Sequence, residues 1–481
     1  MHGAWSARGG RACRPSLAWT LLVVVVALVG SACTPGATEP VQVTRPLAVS
    51  GLPERPNLVL FLTDDQVVGT TDAMPTVQRE IIDKGVDVAN AVIPTSTCCP
   101  SRVALLTGQH AHSNGVYKNV GRSGGWTAFD KTGGESRTIA VALRNAGYRT
   151  GFYGKYLNGW VATPEDYVPA GWDEFMAIRD PFSSERLGAN AYYNYWLTGT
   201  EPKRVYGDAP EDYSTDVVAM LATEFVESTD EDQPLFLVYS TTGPHAPFTP
   251  APRHAGTRSL EPLPEWFSND VDGKPPWLAS REPVQPLTTR RDLRDQKQAL
   301  ASVDEGIRSV MDALGDRVTN TLFVFMSDNG LQLGSHRLRK KYVPYARATM
   351  VPMAMRFDGV IEKGTTLTSL VANVDVTATL ADAAGATMTN MDGRSVLSDT
   401  RDSVVLEGAP SEGRPAYCGT RTTDYLYVQH SSGSFEELYD YRVDPHEATN
   451  IIGDPEYAEV TAQLRNEARQ KCLPTPPGFD W

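Results

Sequence analysis

Thr97-Cys98-Cys99-Pro100-Ser101-Arg102-Val103-Ala104-Leu105-Leu106-Thr107-Gly108 is the stretch from which the rest of the chain can be read. A polar turn ends in Cys-x-Pro-Ser-Arg, and an apolar run with helical spacing continues to Thr-Gly. Proline at a first helical position is pre-set for the turn, and the free N–H groups there face an incoming anion. Arg102 adds a permanent positive charge one turn in. The stretch thus predicts a cysteine at a helix N-terminus beside an arginine, a setting suited to an oxyanion. Taken alone, Cys98-Cys99 also fits a packed pair of thiols, a vicinal disulfide or half of a metal site. The surrounding residues have to decide.

Two runs on either side match each other. Asn57–Gln66 holds a continuous apolar run, Leu58–Leu62, and ends in Asp64-Asp65-Gln66, while the matching stretch from Thr321 ends in Asp328-Asn329-Gly330. Such runs are expected of parallel strands buried on both faces, and open α/β sheets bind ligands at the carboxyl ends of their strands. After a single strand these residues are ordinary turn formers. Two strands ending in Asp-Asp and Asp-Asn can instead converge four oxygen ligands on one hard divalent cation. Helix and strand signals alternate in between. Thr138–Leu143 reads as a packed helix stopped near Gly147, and Tyr148–Lys155 as a strand. Residues 161–232 are expected to be loops followed by a helix over Tyr213–Val226, and Leu235–Tyr239 another buried strand. A proline-rich irregular stretch at 250–289 and a helix over Arg290–Leu314 complete this part.

The run from Cys98 to Gly108, C-x-P-S-R-x-x-x-L-T-G, resembles the signature of the type I sulfatases. Gly154-Lys155-Tyr156-Leu157-Asn158 is similar to the glucosamine-6-sulfatases and their endo-acting relatives. The resemblance implies an α/β fold, an alkaline-phosphatase-like sandwich whose large mixed sheet is flanked by helices, plus a small C-terminal antiparallel sheet with a packed helix. It implies that a formylglycine-generating enzyme converts Cys98 to formylglycine, whose hydrate is the nucleophile. Asp64, Asp65, Asp328 and Asn329 match the family's calcium ligands, Mg2+ being the other candidate, and residue 98 completes that site. By the same resemblance Arg102, Lys155 and Lys341 hold the sulfate oxygens and His245 protonates the departing alcohol. Asp328 serves as base, and Asn158 and His336 face the substrate. Many arylsulfatases carry a histidine where this chain has Leu157. The implied substrate is a sulfated small molecule or glycan, with a leaning toward a sulfated amino sugar. Two alternatives remain at this point. One is a phosphate- or phosphonate-ester hydrolase on the same scaffold; the other is a non-catalytic lipoprotein that binds sulfated glycans with Cys98 unconverted.

The 481 residues suffice for one large domain and a smaller one. A net charge of -14 argues against a general nucleic-acid or anionic-membrane binder, so an anionic substrate needs a local basic patch. The run Arg337-Leu338-Arg339-Lys340-Lys341 supplies one. Residues 1–33 read as a leader: Arg8, Arg11 and Arg14 precede an apolar run, and Gly30-Ser31-Ala32-Cys33 offers a lipobox-like site with Cys33 as acyl acceptor. Residues 34–55 read as a flexible tether, 56–395 as the catalytic domain and 396–481 as a C-terminal subdomain. Export as a bacterial surface lipoprotein or secreted protein is expected, touching the membrane only through that anchor. In an oxidising compartment Cys418 and Cys472 can form one disulfide closing the tail. Short β-prone runs at Ser403–Glu407, Tyr425–His430 and Glu437–Tyr441, then a helix near Tyr457–Lys471, predict the small antiparallel sheet.

Overall fold

Asn57–Thr63 and Thr321–Ser327 are buried along their whole length, as strands covered on both faces must be. They lie side by side and parallel, from Asn57 opposite Thr321 to Thr63 opposite Ser327, so both acidic ends emerge at one edge. A computed structural model describes residues 40–160, 163–179, 191–431 and 435–481. In chain order its strands are β1 (Val41–Val43), β2 (Asn57–Thr63), β3 (Val86–Val92), β4 (Arg149–Gly154), β5 (Glu174–Arg179), β6 (Tyr195–Gly199), β7 (Arg204–Tyr206) and β8 (Leu235–Ser240). There follow β9 (Thr321–Ser327), β10 (Met353–Arg356), β11 (Thr365–Ala372), β12 (Val404–Gly408), β13 (Tyr417–Arg421), β14 (Tyr425–His430) and β15 (Glu436–Asp440).

The first eleven form one mixed sheet in the order β1-β11-β3-β10-β9-β2-β8-β4-β5-β6-β7. Its centre, β9-β2-β8-β4, is parallel throughout. Period-two alternation in β2 sends Leu58, Leu60 and Leu62 into one core layer and Val59 and Phe61 into the other. The first layer holds the helices Cys98–Thr107, Ile139–Asn145 and Asn373–Ala384; the second holds Ser214–Glu227 and Pro286–Leu314. β12 to β15 form a separate antiparallel sheet in sequence order. Val404, Leu406, Leu426 and Tyr439 of that sheet share a core with Val92, Ala104 and Tyr345, so it is fused to the main body rather than tethered. No helix among the described residues is long and apolar enough to cross a membrane.

Several local expectations change. Within 161–232 the chain forms β5, β6 and β7 rather than loops alone. Their sequences are short and lack clean alternation, and pairing in series outward from β4 decides them. Part of the expected tether is ordered: β1 pairs with β11, and Leu47 is buried. The leader with Cys33 and the start of the tether lie outside the described residues. Pro100 is the third helical residue, not the first, because the helix opens at Cys98 after Thr97 in extended conformation. Its missing N–H costs nothing there, since the first four N–H groups of a helix have no partner within it. Gly108 ends that helix in the left-handed conformation, its N–H donating to the Ala104 carbonyl at 2.8 Å.

Cys418 on β13 and Cys472 after the last helix form a disulfide that closes a 54-residue separation. Loop-closure entropy at that length stabilises the fold by about 4 kcal/mol. The double variant Cys418→Ser/Cys472→Ser is expected to lose stability of that order in denaturant unfolding, and an unchanged midpoint would refute the estimate.

Candidate active site

Four neighbouring parallel strands end at one edge, and each delivers one part of the site. β9 delivers Asp328 and Asn329, β2 Asp64 and Asp65, β8 the turn carrying His245, and β4 Lys155. The turn after β4 depends on Gly154: its φ is 111°, and a Cβ there would stand 1.9 Å from the Ser240 carbonyl oxygen. The helix Cys98–Thr107 points its N-terminus at the same place. Its ten residues are all buried, which fixes Cys98 from every side.

Three carboxylates and three cations interlock there, all with little or no exposure. Lys155 is paired with Asp64, Lys341 with Asp65, and Arg102 Nε donates to Asp328 Oδ2 at 2.8 Å. Arg102 Nη1 also donates to the Lys155 carbonyl at 2.7 Å and to Ser240 Oγ at 2.8 Å. It therefore holds Asp328 and the Lys155 turn in place, while its buried Nη2 has no hydrogen-bond partner among the described residues. The Asp65 N–H donates to Asp328 Oδ1 at 3.2 Å, and Asn329 Nδ2 donates to Asp65 Oδ1 at 2.6 Å. Cys98 Sγ accepts from Lys341 Nζ at 2.8 Å and lies 3.7 Å from Asp64 Oδ1. His245 Nε2 stands 3.4 Å from Asp65 Oδ2, and its Nδ1 is 2.7 Å from the Ala246 carbonyl oxygen.

The electrostatics follow from this packing. Burial opposes ionisation of Asp64 and Asp65, yet Lys155 beside the first and Lys341 beside the second keep both below the usual carboxylate range. Burial likewise opposes the charge on Lys341, but Asp65 and Cys98 raise its pKa well above the ordinary lysine value. Burial pushes the Cys98 thiol up to about 11 against the pull of Lys155 and Lys341.

The donor set suits a hard divalent cation. One ligand atom each from Asp64, Asp65, Cys98 and His245 can lie within 4.8 Å of one another. Asn329 Oδ1 is buried and has no hydrogen-bond partner among the described residues, which leaves an oxygen for a cation next to Asp65. Oxygen ligands of this kind bind Ca2+ or Mg2+. Asp65, Cys98, His245 and Lys341 line an open cavity of about 330 Å³, with Asn119 and Tyr342 on its wall.

Asn158 and His336 do not line that cavity. Asn158 is buried, its carbonyl accepting from the Trp126 N–H at 2.7 Å. His336 is buried against Tyr345 with Glu447 3.8 Å away, because its turn is pinned by the C-terminal segment. Asn119 escaped the sequence reading altogether: its Oδ1 accepts from the Cys99 N–H at 2.9 Å, so that N–H does not face an anion. It sits in a loop with no periodicity, and nothing local marks it. Ser240, one residue past the apolar run Leu235–Tyr239, carried a weak signal as a strand end.

Sequence comparison agrees with this arrangement. The sulfatase family profile matches residues 56–386, and the C-terminal profile of N-sulphoglucosamine sulphohydrolase matches 334–472. N-acetylglucosamine-6-sulfatase of Capra hircus is 30% identical over 477 residues, covering 85% of this chain and 83% of that protein. The Drosophila melanogaster extracellular sulfatase SULF-1 homologue is 33% identical over 361 residues, covering 71% of this chain. The chain spans only 31% of the insect protein's length, and half that of its nematode counterpart. Among solved structures, BT4656 in complex with its substrate D-glucosamine-2-N,6-O-disulfate superposes with a TM-score of 0.75 at 22% identity. That superposition covers 87% of this chain and 98% of the other.

Cation binding is expected to stabilise the fold, by about 2.7 kcal/mol at a hundredfold excess over Kd. Adding Ca2+ to chelator-treated protein should therefore raise its melting temperature. Asp328→Asn should abolish that shift, and an equal shift in both proteins would place the cation elsewhere.

Proposed function

The chain belongs to the sulfatase family, and from that premise we propose that it hydrolyses a sulfate ester, of a sulfated amino sugar, at residue 98. The observation that carries the proposal is the convergence on Cys98 of Asp64, Asp65, Asp328, Asn329, Lys155, Lys341 and His245 from four strand ends and one loop. We take the cation to be Ca2+, held by Asp64, Asp65, Asp328 and Asn329, and Cys98 to be converted to formylglycine. The amino-sugar preference rests on the N-acetylglucosamine-6-sulfatase relative and on the substrate of BT4656. Export is supported by the extracellular relative and by the Cys418–Cys472 disulfide. The lipid anchor at Cys33 and the maturation enzyme remain part of this proposal.

When bound, the divalent cation polarises sulfate oxygens and offsets their charge. The converted residue supplies an aldehyde hydrate as the nucleophile toward sulfur. The remaining work falls to this chain's own side chains. Lys341 reaches from the Asp65 carboxylate to the position of Sγ, where it steadies the attacking group and a sulfuryl oxygen. Lys155 keeps the Asp64 carboxylate ionised, and Arg102 holds the Asp328 carboxylate in position. Asp328, held in place by Arg102, is assigned to take a proton from the hydrate. His245, in the cavity wall and the least buried of the set, donates a proton from Nε2 to the leaving alcohol oxygen. Electrostatic clamps of this kind are usually worth several kcal/mol.

The deciding measurement is the mass of the tryptic peptide Gly85–Arg102 together with turnover of 4-nitrophenyl sulfate and 4-nitrophenyl phosphate. An aldehyde mass at residue 98 and preference for the sulfate are expected; an intact thiol with no sulfate turnover refutes the proposal. His245→Ala should lower kcat on a sugar sulfate by about 10² to 10⁴. It should cost far less on 4-nitrophenyl sulfate, whose leaving group needs no acid. Equal losses on both would remove His245 from the acid role.

A further inference from the structure

The cavity over Cys98 does not end at its own wall. Arg339, Lys340 and Glu412 line both it and a second, wider trough of about 660 Å³. Besides those three, the trough is bordered by Arg281, Glu282, Arg337 and Arg414. That places five cations against two carboxylates on a chain of net charge -14.

Arg339 is paired with Asp292 at 2.6 Å, but the pairing of the other four leaves positive charge over. Glu412 is shared between Lys340 and Arg414, each at 3.1 Å, so one carboxylate serves two cations. Arg337 donates only to the neutral carbonyls of Asn269, Ala279 and Arg281. Arg414 is 4% exposed, and its Nε has no hydrogen-bond partner among the described residues; the same holds for the Nε of Arg281. Burial, with Arg414 close by, pushes the pKa of Arg281 down, as expected for two guanidinium groups held together without a carboxylate each. Buried guanidinium N–H groups without acceptors are costly unless an anion completes them, and the planar fork of arginine fits sulfate or carboxylate.

We propose that this trough binds a second anionic group of the same substrate, so that the sugar sulfate at Cys98 belongs to an oligosaccharide carrying further sulfate or carboxylate groups. The proposal rests on the sulfatase reading for what occupies the cavity, while the trough stands on its own residues. A single sulfated sugar filling the cavity would leave the trough untouched. A chain running from the cavity past Lys340 places its next anionic residues against Arg414 and Arg281.

The test compares 4-nitrophenyl sulfate, glucosamine 6-sulfate and a hexasaccharide of alternating glucosamine 6-sulfate and uronate. The hexasaccharide should show the lowest KM and the steepest loss of kcat/KM with added salt. Arg281→Gln/Arg414→Gln should raise KM for the hexasaccharide about tenfold and leave kcat and both small substrates unchanged, since a charged hydrogen bond is worth roughly that factor. Glu282→Gln, at an exposed position that carries no fold risk, should lower the hexasaccharide KM. Unchanged hexasaccharide KM in both variants overturns the trough while leaving the sulfatase reading intact. If no ester is cleaved at all, calorimetric binding of the hexasaccharide decides. Affinity weakened about tenfold by the double variant sustains the trough, and equal affinity overturns it.

Discussion

The structure depends on keeping three carboxylates charged inside a protein. Asp64, Asp65 and Asp328 lie buried at the ends of two adjacent strands, where like charges repel strongly. Lys155, Lys341 and Arg102 come from a third strand end, a distant loop and a helix to balance them one for one. Losing one member of such a buried pair strands its partner, at about 3–5 kcal/mol. Charge balance thus explains why β4, the helix Cys98–Thr107 and the loop at 341 all converge on one edge. It also gives the site its chemistry: three cations already match three anions, so an added divalent ion leaves the pocket positive and ready for a sulfate.

The small sheet is part of this constraint rather than an appendage. Lys341 belongs to a loop with little regular structure, and the residues just after it are pinned by the C-terminal segment. Tyr345 Oη donates to Glu437 Oε1 at 3.0 Å, His430 Nε2 lies 2.6 Å from Glu437 Oε2, and the Ala346 N–H donates to Glu447 Oε1 at 2.8 Å. Buried networks of this kind fix one geometry when every member is satisfied. The sheet β12–β15 thereby carries the register of the lysine beside Cys98, although none of its residues touches that cysteine. The same contacts turn His336 inward, away from the substrate-facing place assigned to it.

What was legible in the sequence follows the strength of local physics. Continuous apolar runs named β2, β8 and β9, because burial on both faces leaves no room for alternation, and the acidic residues after them named the ligand cluster. His245 was legible because it follows such a run, and Lys155 because Gly154-Lys155-Tyr156-Leu157-Asn158 resembles the glucosamine-6-sulfatases. β5, β6, β7 and β13 were not, since short strands of mixed composition are decided by their neighbours. Asn119 was illegible for a related reason: its role is to accept one N–H from a helix that meets it only in the folded state. Arg102 was found, but its position in the motif shows only a charge near the site and not that Nε and Nη1 hold Asp328, Ser240 and the Lys155 carbonyl while Nη2 has no partner among the described residues.

The chemistry of the donor set bears on the cysteine itself. Aspartate and asparagine oxygens suit hard cations such as Ca2+ and Mg2+, while thiolates suit softer metals. A sulfur 3.7 Å from Asp64 Oδ1 is therefore the mismatched atom beside the oxygens of Asp64, Asp65, Asp328 and Asn329. Burial raises that thiol to about 11, away from the range in which a thiolate nucleophile forms unaided. Burial raises that value more than any one neighbour does, so activating the sulfur would mean opening the pocket to water. Replacing the sulfur by oxygen resolves both conflicts at one atom: the ligand set becomes uniform, and the nucleophile becomes a hydroxyl that Lys341 and a carboxylate can serve. On this reasoning the pocket suits the formylglycine proposed at residue 98 better than it suits a thiol.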